Sequence, residues 1–501
     1  MQIGIDFGTT RTVVAACDRG NYPVVAFEDG RGDSVEWFPS VVAEVGGELR
    51  YGFEALEAGP GATRMRSFKR LLAGATPSTP VHIGEAQATV AELVAGYFAA
   101  LRSALLERSN LPRAAPGEAL EATVAVPANA RGGQRLLTLD AFRAAGFQVL
   151  SMLNEPSAAG FEYTHRYRNT LSARREHIVV YDLGGGTFDV SLIRMSGGRH
   201  DAVATAGLGH LGGDDFDAVL AELVLARAGV SRAALDAATL ESLLGRCRDA
   251  KERINPSSRK VVVEADLGGR SVEASVPIGE LYEACAPLIA ETLDTMAPVL
   301  ARLDGDADSG LAGIYVVGGA SALPAVGREL RERYGRRVHR SPYPFAAVAI
   351  GLAIAADETF ELTDRLSRCF GVFREAQGGD DIAFDPIFSA EAPLPARGEA
   401  GPAHERTYRA AHNLGHFRFV ECGTVSSDGG PDGDVTPFGE VVFPFDPALR
   451  ARGVDLAAVP VSRIGRGPLV RERYRVDESG IVEITITDLD SGFSREYRLG
   501  G

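Results

Sequence analysis

Apolar residues recur along this chain with two different periods, and the architecture is expected to change where the period does. Residues 1–25 read as strands joined by a turn at Gly8–Thr10. Val90–Leu106 carries apolar residues at 90, 93, 94, 97, 98, 101 and 105, the spacing of one helix face. A short apolar strand, Ala122–Val126, stops at Pro127, and Gln134–Ala145 predicts a helix capped by Gly146. Gly212-Gly213-Asp214-Asp215 opens another helix, to about Arg227, whose acidic first turn suits the helix dipole. Helix-like sequence returns from about Gly279 to Leu303. A strand, Ile314–Val317, is then halted by Gly318-Gly319, and helices follow over Leu323–Tyr334 and Phe345–Ala356. Strands alternating with helices predict an α/β fold with largely covered sheets.

Near residue 358 helical spacing vanishes while Gly, Pro and Asp become frequent. Residues 392–404 and 424–437 read as loops. Tyr474–Asp488 alternates strictly about Ser479-Gly480, which predicts a hairpin with one buried face. The expected organisation is therefore an α/β domain over 1–360 and a small all-β domain over 365–501, with no helical segment after it.

Composition narrows the classes. At 501 residues the chain has room for about three ordinary domains, and 45% hydrophobic with 24% charged residues is ordinary for a globular protein. A net charge of −15 argues against a nucleic-acid partner, which needs clustered Lys and Arg. The N-terminus runs straight into a strand, so no signal peptide is expected, and Phe345–Ala356 is too short to cross a bilayer. A cytoplasmic protein without a membrane partner is the default expectation. Cysteines 17, 247, 285, 369 and 422 are scattered without a Cys-x-x-Cys pair, so neither a disulfide framework nor a zinc site is indicated. Lysine occurs only at 69, 251 and 260 among 52 basic residues, which draws attention to the first two, since Lys offers a compact point charge suited to a phosphate.

The chemistry lies in two peptides, Asp6-Phe-Gly-Thr-Thr10 and Asp182-Leu-Gly-Gly-Gly-Thr187, each preceded by an apolar run (Ile3–Ile5 and Ile178–Tyr181). In such a turn Gly lets backbone N–H groups approach oxygen closely, Thr hydroxyls donate, and Asp faces a cation, usually through its waters. One copy alone is as readily a hairpin turn. Two copies, each after a strand, point to similar halves closing on one polyphosphate. No Gly-x-x-x-x-Gly-Lys-Ser/Thr loop occurs, so any ATP is held without a P-loop.

Ile3–Thr10, Val126-Pro127, Asn154–Ala159, Tyr181–Val190, His210–Asp217 and Val317–Gly319, in that order and at about that spacing, resemble the nucleotide-binding domain of the Hsp70 (DnaK-like) chaperones. The likeness covers residues 1 to about 357. Phe419–Gly423 and the hairpin at 474–498 resemble that family's β-sandwich peptide-binding domain more weakly. The resemblance implies a two-lobed, actin-like ATPase fold with ribonuclease H-like halves. By the same carry-over, Asp6 and Asp182 face hydrated Mg²⁺, with K⁺ as a further candidate ion. Gly8, Thr9, Thr10, Gly184, Gly185, Gly186 and Thr187 cradle the β- and γ-phosphates of ATP or ADP. Gly212, Gly213, Asp214, Lys251, Gly318 and Gly319 belong to the nucleotide site. Lys69 positions the attacking water and stabilises the transferring oxygens, Thr187 orients the water, and Glu155 and Asp189 complete an acidic shell. Pro127 and Arg135 match a pair that relays nucleotide state. Implied partners are unfolded or extended polypeptide, a J-domain co-chaperone and a nucleotide exchange factor.

Three positions depart from the pattern on the adenosine side. Glu252 stands where the family's stacking arginine is expected, Ala322 where an arginine follows Gly-Gly-Ser-Thr, and Phe345 where an acid precedes the last helix. Losing a stacking contact costs on the order of 0.5–2 kcal/mol, so ATP affinity is expected to fall by roughly one decade. The linker Leu362–Arg368 is mostly polar, and His416 and Arg418 occupy strand positions where a peptide cleft is usually apolar. Two readings of the β-domain stay open, a lidless polypeptide-binding domain and a docking module for one dedicated partner. An actin-like filament protein or sugar kinase shares the Asp-x-Gly-Thr logic, but lacks a counterpart for Gly212–Asp217 and for the β-domain.

Overall fold

Gln2–Phe7 turns back at Gly8–Thr10 and pairs antiparallel with Arg11–Ala16, placing Asp6 opposite Val13. In this computed structural model residues 1–59, 61–112, 119–167, 170–172, 175–196, 199–303, 310–357, 361–376, 381–396, 398–451 and 453–499 are described. The change of pattern near 358, the expected domain end at 360 and the C-terminal Gly501 lie outside them. Two compact units emerge. One comprises Met1–Leu71, Pro80–Asn129 and Phe142–Glu361, and the other Leu72–Thr79, Ala130–Ala141 and Leu362–Gly501.

Within the first unit the opening hairpin is extended on one side by Glu121–Val126 and then Gln148–Asn154, both parallel, and on the other by Phe38–Pro39. A second sheet repeats the plan. His177–Leu183 pairs antiparallel with Phe188–Ser196, with Asp182 opposite Asp189, and Leu311–Val317 and Val338–Arg340 add in parallel. Arg199–Leu208 and Glu361–Thr363 continue the far edge. All seven residues of Leu311–Val317 are buried, as a strand covered by helices on both faces must be.

Helices lock these sheets from behind. Val90–Glu107 begins with a capping box in which Thr89 Oγ1 accepts from the Glu92 N–H and Glu92 accepts from the Thr89 N–H. Its buried face carries Tyr97 and Phe98 against Phe7 and Phe68, at centroid distances of 4.9–5.8 Å. Ala347–Asp357 is apolar all round because it is buried all round. Its close approach needs glycine. A Cβ on Gly351 would stand 1.8 Å from the Ala158 carbonyl oxygen, and one on Gly4 would stand 2.4 Å from that of Ala349. Among the described residues no helix is long and apolar enough to cross a membrane.

Two helices go beyond the sequence expectation. Glu155–Tyr167 has Glu155 through Tyr163 buried without a break, with Glu155, Ser157 and Glu162 among them, so burial there does not follow apolar spacing. Ala237–Glu252 buries only Leu243, Cys247 and Ala250, too narrow a stripe to read, and is started by Asp236 accepting from the Thr239 N–H. The stretch read as a loop over 424–437 holds two short paired strands, Thr424–Val425 and Pro431–Asp432, and the start of Thr436–Pro444.

The second unit is built on two four-stranded antiparallel sheets. One orders Asp381–Phe388, Cys369–Ala376, Leu414–Cys422 and Thr436–Pro444, and the other Ala403–Arg409, Leu469–Val476, Val482–Asp488 and Ser494–Arg498. Phe370, Val372, Phe419, Phe443, Val470, Tyr474, Ile484 and Ile486 form a shared core. The alternation of Leu469–Val476 points Glu472 inward with Val470 and Tyr474. Arg374 makes two bonds to it at 2.6 and 3.2 Å, and the Tyr408 and Tyr474 hydroxyls also donate, so the buried charge is paired and hydrogen-bonded.

The same unit holds Ala130–Ala141, most of it in the helix Gly132–Ala144. Arg135, buried, donates to the Ser479 carbonyl at 3.3 Å, and the Gly132 N–H donates to both oxygens of Glu421 at 3.1 and 3.3 Å. Burial pushes the Glu421 carboxyl up to about 7, against the pull of the Gly132 N–H and of Arg368, Arg135 and Arg131. A folded pKa above the unfolded one means that the neutral form stabilises the fold, and that this contribution is lost as pH rises through about 7. Glu421→Gln should therefore lose less thermal stability than the parent between pH 5.5 and 8.5. Parallel melting curves across that range would show that Glu421 is not the titrating group.

Candidate functional site

The two glycine turns meet in the first unit. A Cβ on Gly185 would stand 2.8 Å from Thr10 Cγ2, and one on Gly186 would stand 2.7 Å from Thr9 Oγ1, so only glycine allows the turns to touch. Gly318, at φ +82°, closes in from the next strand, where a Cβ would reach Asp182 Oδ1 at 2.4 Å. The cleft so formed is lined by Asp6, Gly8, Thr9, Thr10, Lys69, Glu155, Asp182, Gly184, Gly185, Thr187, Gly213, Asp214, Lys251, Gly318 and Gly319. Gly186, Gly212 and Asp189 stand outside this lining. Gly186 and Gly212 brace the second turn, and Asp189 Oδ1 accepts from the Ala128 N–H at 3.0 Å and the Asn129 N–H at 3.4 Å.

Each turn is held from behind. Ser40 donates to the Gly8 carbonyl at 2.8 Å and hydrogen-bonds the Tyr97 hydroxyl at 3.1 Å, and Tyr97 reaches Thr12 at 2.7 Å. The Gly213 and Asp214 N–H groups donate to the carbonyls of Gly184 and Gly185 at 2.9 and 2.8 Å, clipping the second turn to the helix Gly213–Ala228. Arg70 donates to the Gly186 carbonyl at 3.0 Å and pairs with Asp215 at 2.8 Å. Asp214 is held by Ser67 at 2.5 Å and Arg248 at 2.8 Å, and Lys251 bonds the Gly213 carbonyl and Asp217, each at 2.6 Å. Ser40, Arg70, Asp215 and Arg248 escaped sequence reading. Their residue types carry no special signal, and their partners are local only in space.

At the centre of the cleft Lys69 Nζ lies 2.8 Å from Glu155 Oε1, with both side chains buried. Burial pulls the ammonium down, but Glu155, Asp6 and their hydrogen bond outweigh it, so Lys69 keeps its charge above its ordinary range. Asp6 is raised by burial and then by Glu155, with Lys69 opposing. Asp182 is raised well above the carboxylate range by burial, then by Glu155, Asp6 and Asp189. Asp189 is raised by burial and then by Glu155. One ammonium thus faces four carboxylates, a deficit of three charges when all are ionised. Among the described residues no group of three or more His, Cys, Asp or Glu could hold a metal by itself. The glycine cradle and the surplus of carboxylate therefore fit a cation that arrives with phosphate oxygens and water as its other ligands.

Comparison with known proteins agrees with this geometry. Residues 112–359 match the family model described as Hsp70 protein. A chaperone protein HscA homolog of Bordetella pertussis is 32% identical over 377 residues, covering 71% of this chain and 58% of that relative. The chaperone protein HscA of Escherichia coli O6:H1 is 33% identical over 371 residues, covering 71% of this chain and 57% of that relative. A chaperone protein HscA homolog of Polynucleobacter asymbioticus is 29% identical over 521 residues, covering 98% of this chain and 76% of that relative. The chain belongs to the Hsp70 family, and its mixed α/β first unit is the two-lobed, actin-like fold which that membership implies. It spans a little over half the length of the Bordetella and Escherichia relatives.

Proposed function

We propose that this chain is an ATP-dependent molecular chaperone of the Hsp70 type, which hydrolyses ATP in the cleft to regulate polypeptide binding by its C-terminal unit. The observation that carries this reading is the meeting of the two Asp-Gly-Thr turns around the buried Lys69–Glu155 pair. Gly8, Thr9, Thr10, Gly184, Gly185 and Thr187 hold the phosphates of ATP or ADP, with Gly186 and Gly212 shaping the second turn. Gly213, Asp214, Lys251, Gly318 and Gly319 frame the rest of the nucleotide. Asp6 and Asp182 hold a hydrated Mg²⁺, with K⁺ as a second candidate ion, and the metal supplies charge that the carboxylate surplus lacks. Lys69, kept protonated by Glu155, places a positive charge beside the transferring phosphoryl oxygens. The Thr187 hydroxyl orients the attacking water, and Asp189 acts from the next layer through its field on Lys69.

The 1–360 and 365–501 domain division belongs to this proposal, as do the β-sandwich form of the C-terminal domain, a cytoplasmic setting, and J-domain and exchange-factor partners. The relatives being named as chaperones supports it. One observation favours the second reading, in which the C-terminal unit docks a single dedicated partner. A groove in that unit is lined by Arg374, Asp385, Arg406, Arg409, His412 and His416 as well as by Phe373, Leu414, Phe417 and Val461, so charged groups are mixed with its apolar surface. His416 and Arg418 point outward to Glu440 at 2.8 and 3.6 Å, while Phe417 and Phe419 turn into the core.

Lys69→Ala should lower ATP turnover by about 100-fold or more, the scale of losing a charged stabiliser of the transferring group, with ATP affinity kept within about threefold. Turnover equal to that of the parent would remove Lys69 from the mechanism. A labelled, unfolded apolar peptide should bind more tightly with Mg·ADP than with Mg·ATP if the chaperone reading holds. Nucleotide-blind or undetectable binding would favour the dedicated docking module.

A further inference from the structure

Past Thr10 the cleft continues to Arg11, Lys251, Glu252, Pro344, Phe345 and Val348. On the nucleotide reading, the groups joined to the phosphates must find their place in the rest of this lining, of which the Arg11 guanidinium is part. Its Nη2 donates to Glu252 Oε2 at 2.5 Å, and its Cζ stands 4.9 Å from the Trp37 ring centroid and 5.3 Å from that of Phe345. Three separate elements aim it. Arg11 opens the strand Arg11–Ala16, Glu252 closes the helix Ala237–Glu252, and Phe345 precedes the helix Ala347–Asp357. Phe345 is one of the few large apolar side chains left substantially exposed, at 44%.

A planar cation paired with a carboxylate and lying over aromatic rings, one of them still 44% exposed, extends a flat surface on which a heteroaromatic ring can stack. The family's stacking arginine, expected at 252, is replaced by an acid that orients an arginine from the opposite strand. We infer that Arg11 and Phe345 are the base-recognition residues of this site, stacking the purine of a nucleoside di- or triphosphate, and that Glu252 is a positioning residue that fixes the guanidinium plane. This inference rests on the nucleotide reading above.

Calorimetric titration of the full chain with Mg·ADP and with Mg·tripolyphosphate, which has no base, tests it. Arg11→Ala should weaken Mg·ADP by roughly 3- to 30-fold, the range of a stacking or cation–π contact, and leave Mg·tripolyphosphate within about twofold. Arg11→Lys, which keeps the charge but loses the plane, should weaken Mg·ADP nearly as much. Trp37 is the only tryptophan in the chain. Its emission should move when the parent binds Mg·ADP, stay put with Mg·tripolyphosphate, and be insensitive to Mg·ADP in Arg11→Ala. Equal losses for the two ligands, or full recovery of Mg·ADP affinity by Arg11→Lys, would overturn the assignment while leaving the nucleotide site standing. A parent chain that binds neither ligand would overturn the nucleotide reading and the assignment with it.

Discussion

The buried ion pair between Lys69 and Glu155 is the contact on which the rest of the site depends. Alone it would be a poor investment of burial, since removing two charges from water costs about as much as their attraction returns. Its value comes from the company it keeps. Asp6, Asp182 and Asp189 crowd the same volume, and each is pushed toward its neutral form. Lys69 meets four carboxylates, and the lining of the whole cleft sets Asp6, Glu155, Asp182, Asp214, Asp217 and Glu252 against Arg11, Lys69, Arg248 and Lys251, so it is short of positive charge. On the proposed function, that shortage is what would favour a metal-bound polyphosphate over a bare anion in the glycine-lined cleft.

Geometry comes from duplication. The two sheets of the first unit share one plan, a hairpin with two further strands added in parallel, and each hairpin carries its Asp at the end of the first strand. Equivalent strand ends therefore present equivalent turns. The turns can touch because Gly185 and Gly186 leave room for Thr10 and Thr9. They are kept in place by ordinary backbone economy, the first N–H groups of one helix being satisfied by the carbonyls of the turn it supports. The site is thus rigid at its phosphate end. Its far end is different, since it rests on one side-chain pair, Arg11 with Glu252, that is part-exposed on both sides.

What could be read in advance was what is local in sequence. Asp-x-Gly-Thr after an apolar strand and Gly480 between two alternating runs each encode their geometry within a few residues. The Ser479-Gly480 turn indeed joins Leu469–Val476 to Val482–Asp488. The rest depended on residues distant in sequence. Arg11 meets Glu252 across 241 positions, and Arg374 meets Glu472 across 98. A glutamate on the inward face of a strand looks like an error in the pattern until its arginine is seen. Glu155–Tyr167 was hidden because its buried first nine residues include Glu155, Ser157 and Glu162, polar positions that break an apolar helical stripe. That Asp189 Oδ1 accepts from the Ala128 and Asn129 N–H groups is likewise visible only in the three-dimensional register.

If the proposed function holds, the charge deficit around Lys69 makes the cleft select metal-bound nucleotide over a bare anion. The direct measurement is the affinity for ADP at neutral pH with excess Mg²⁺ and again with the metal chelated. Binding at least about tenfold tighter with Mg²⁺ is the predicted result, since phosphate oxygens alone would add negative charge to a pocket that already has too much. Equal affinity in the two conditions would contradict it, and would mean that the carboxylates around Lys69 serve the fold rather than a ligand.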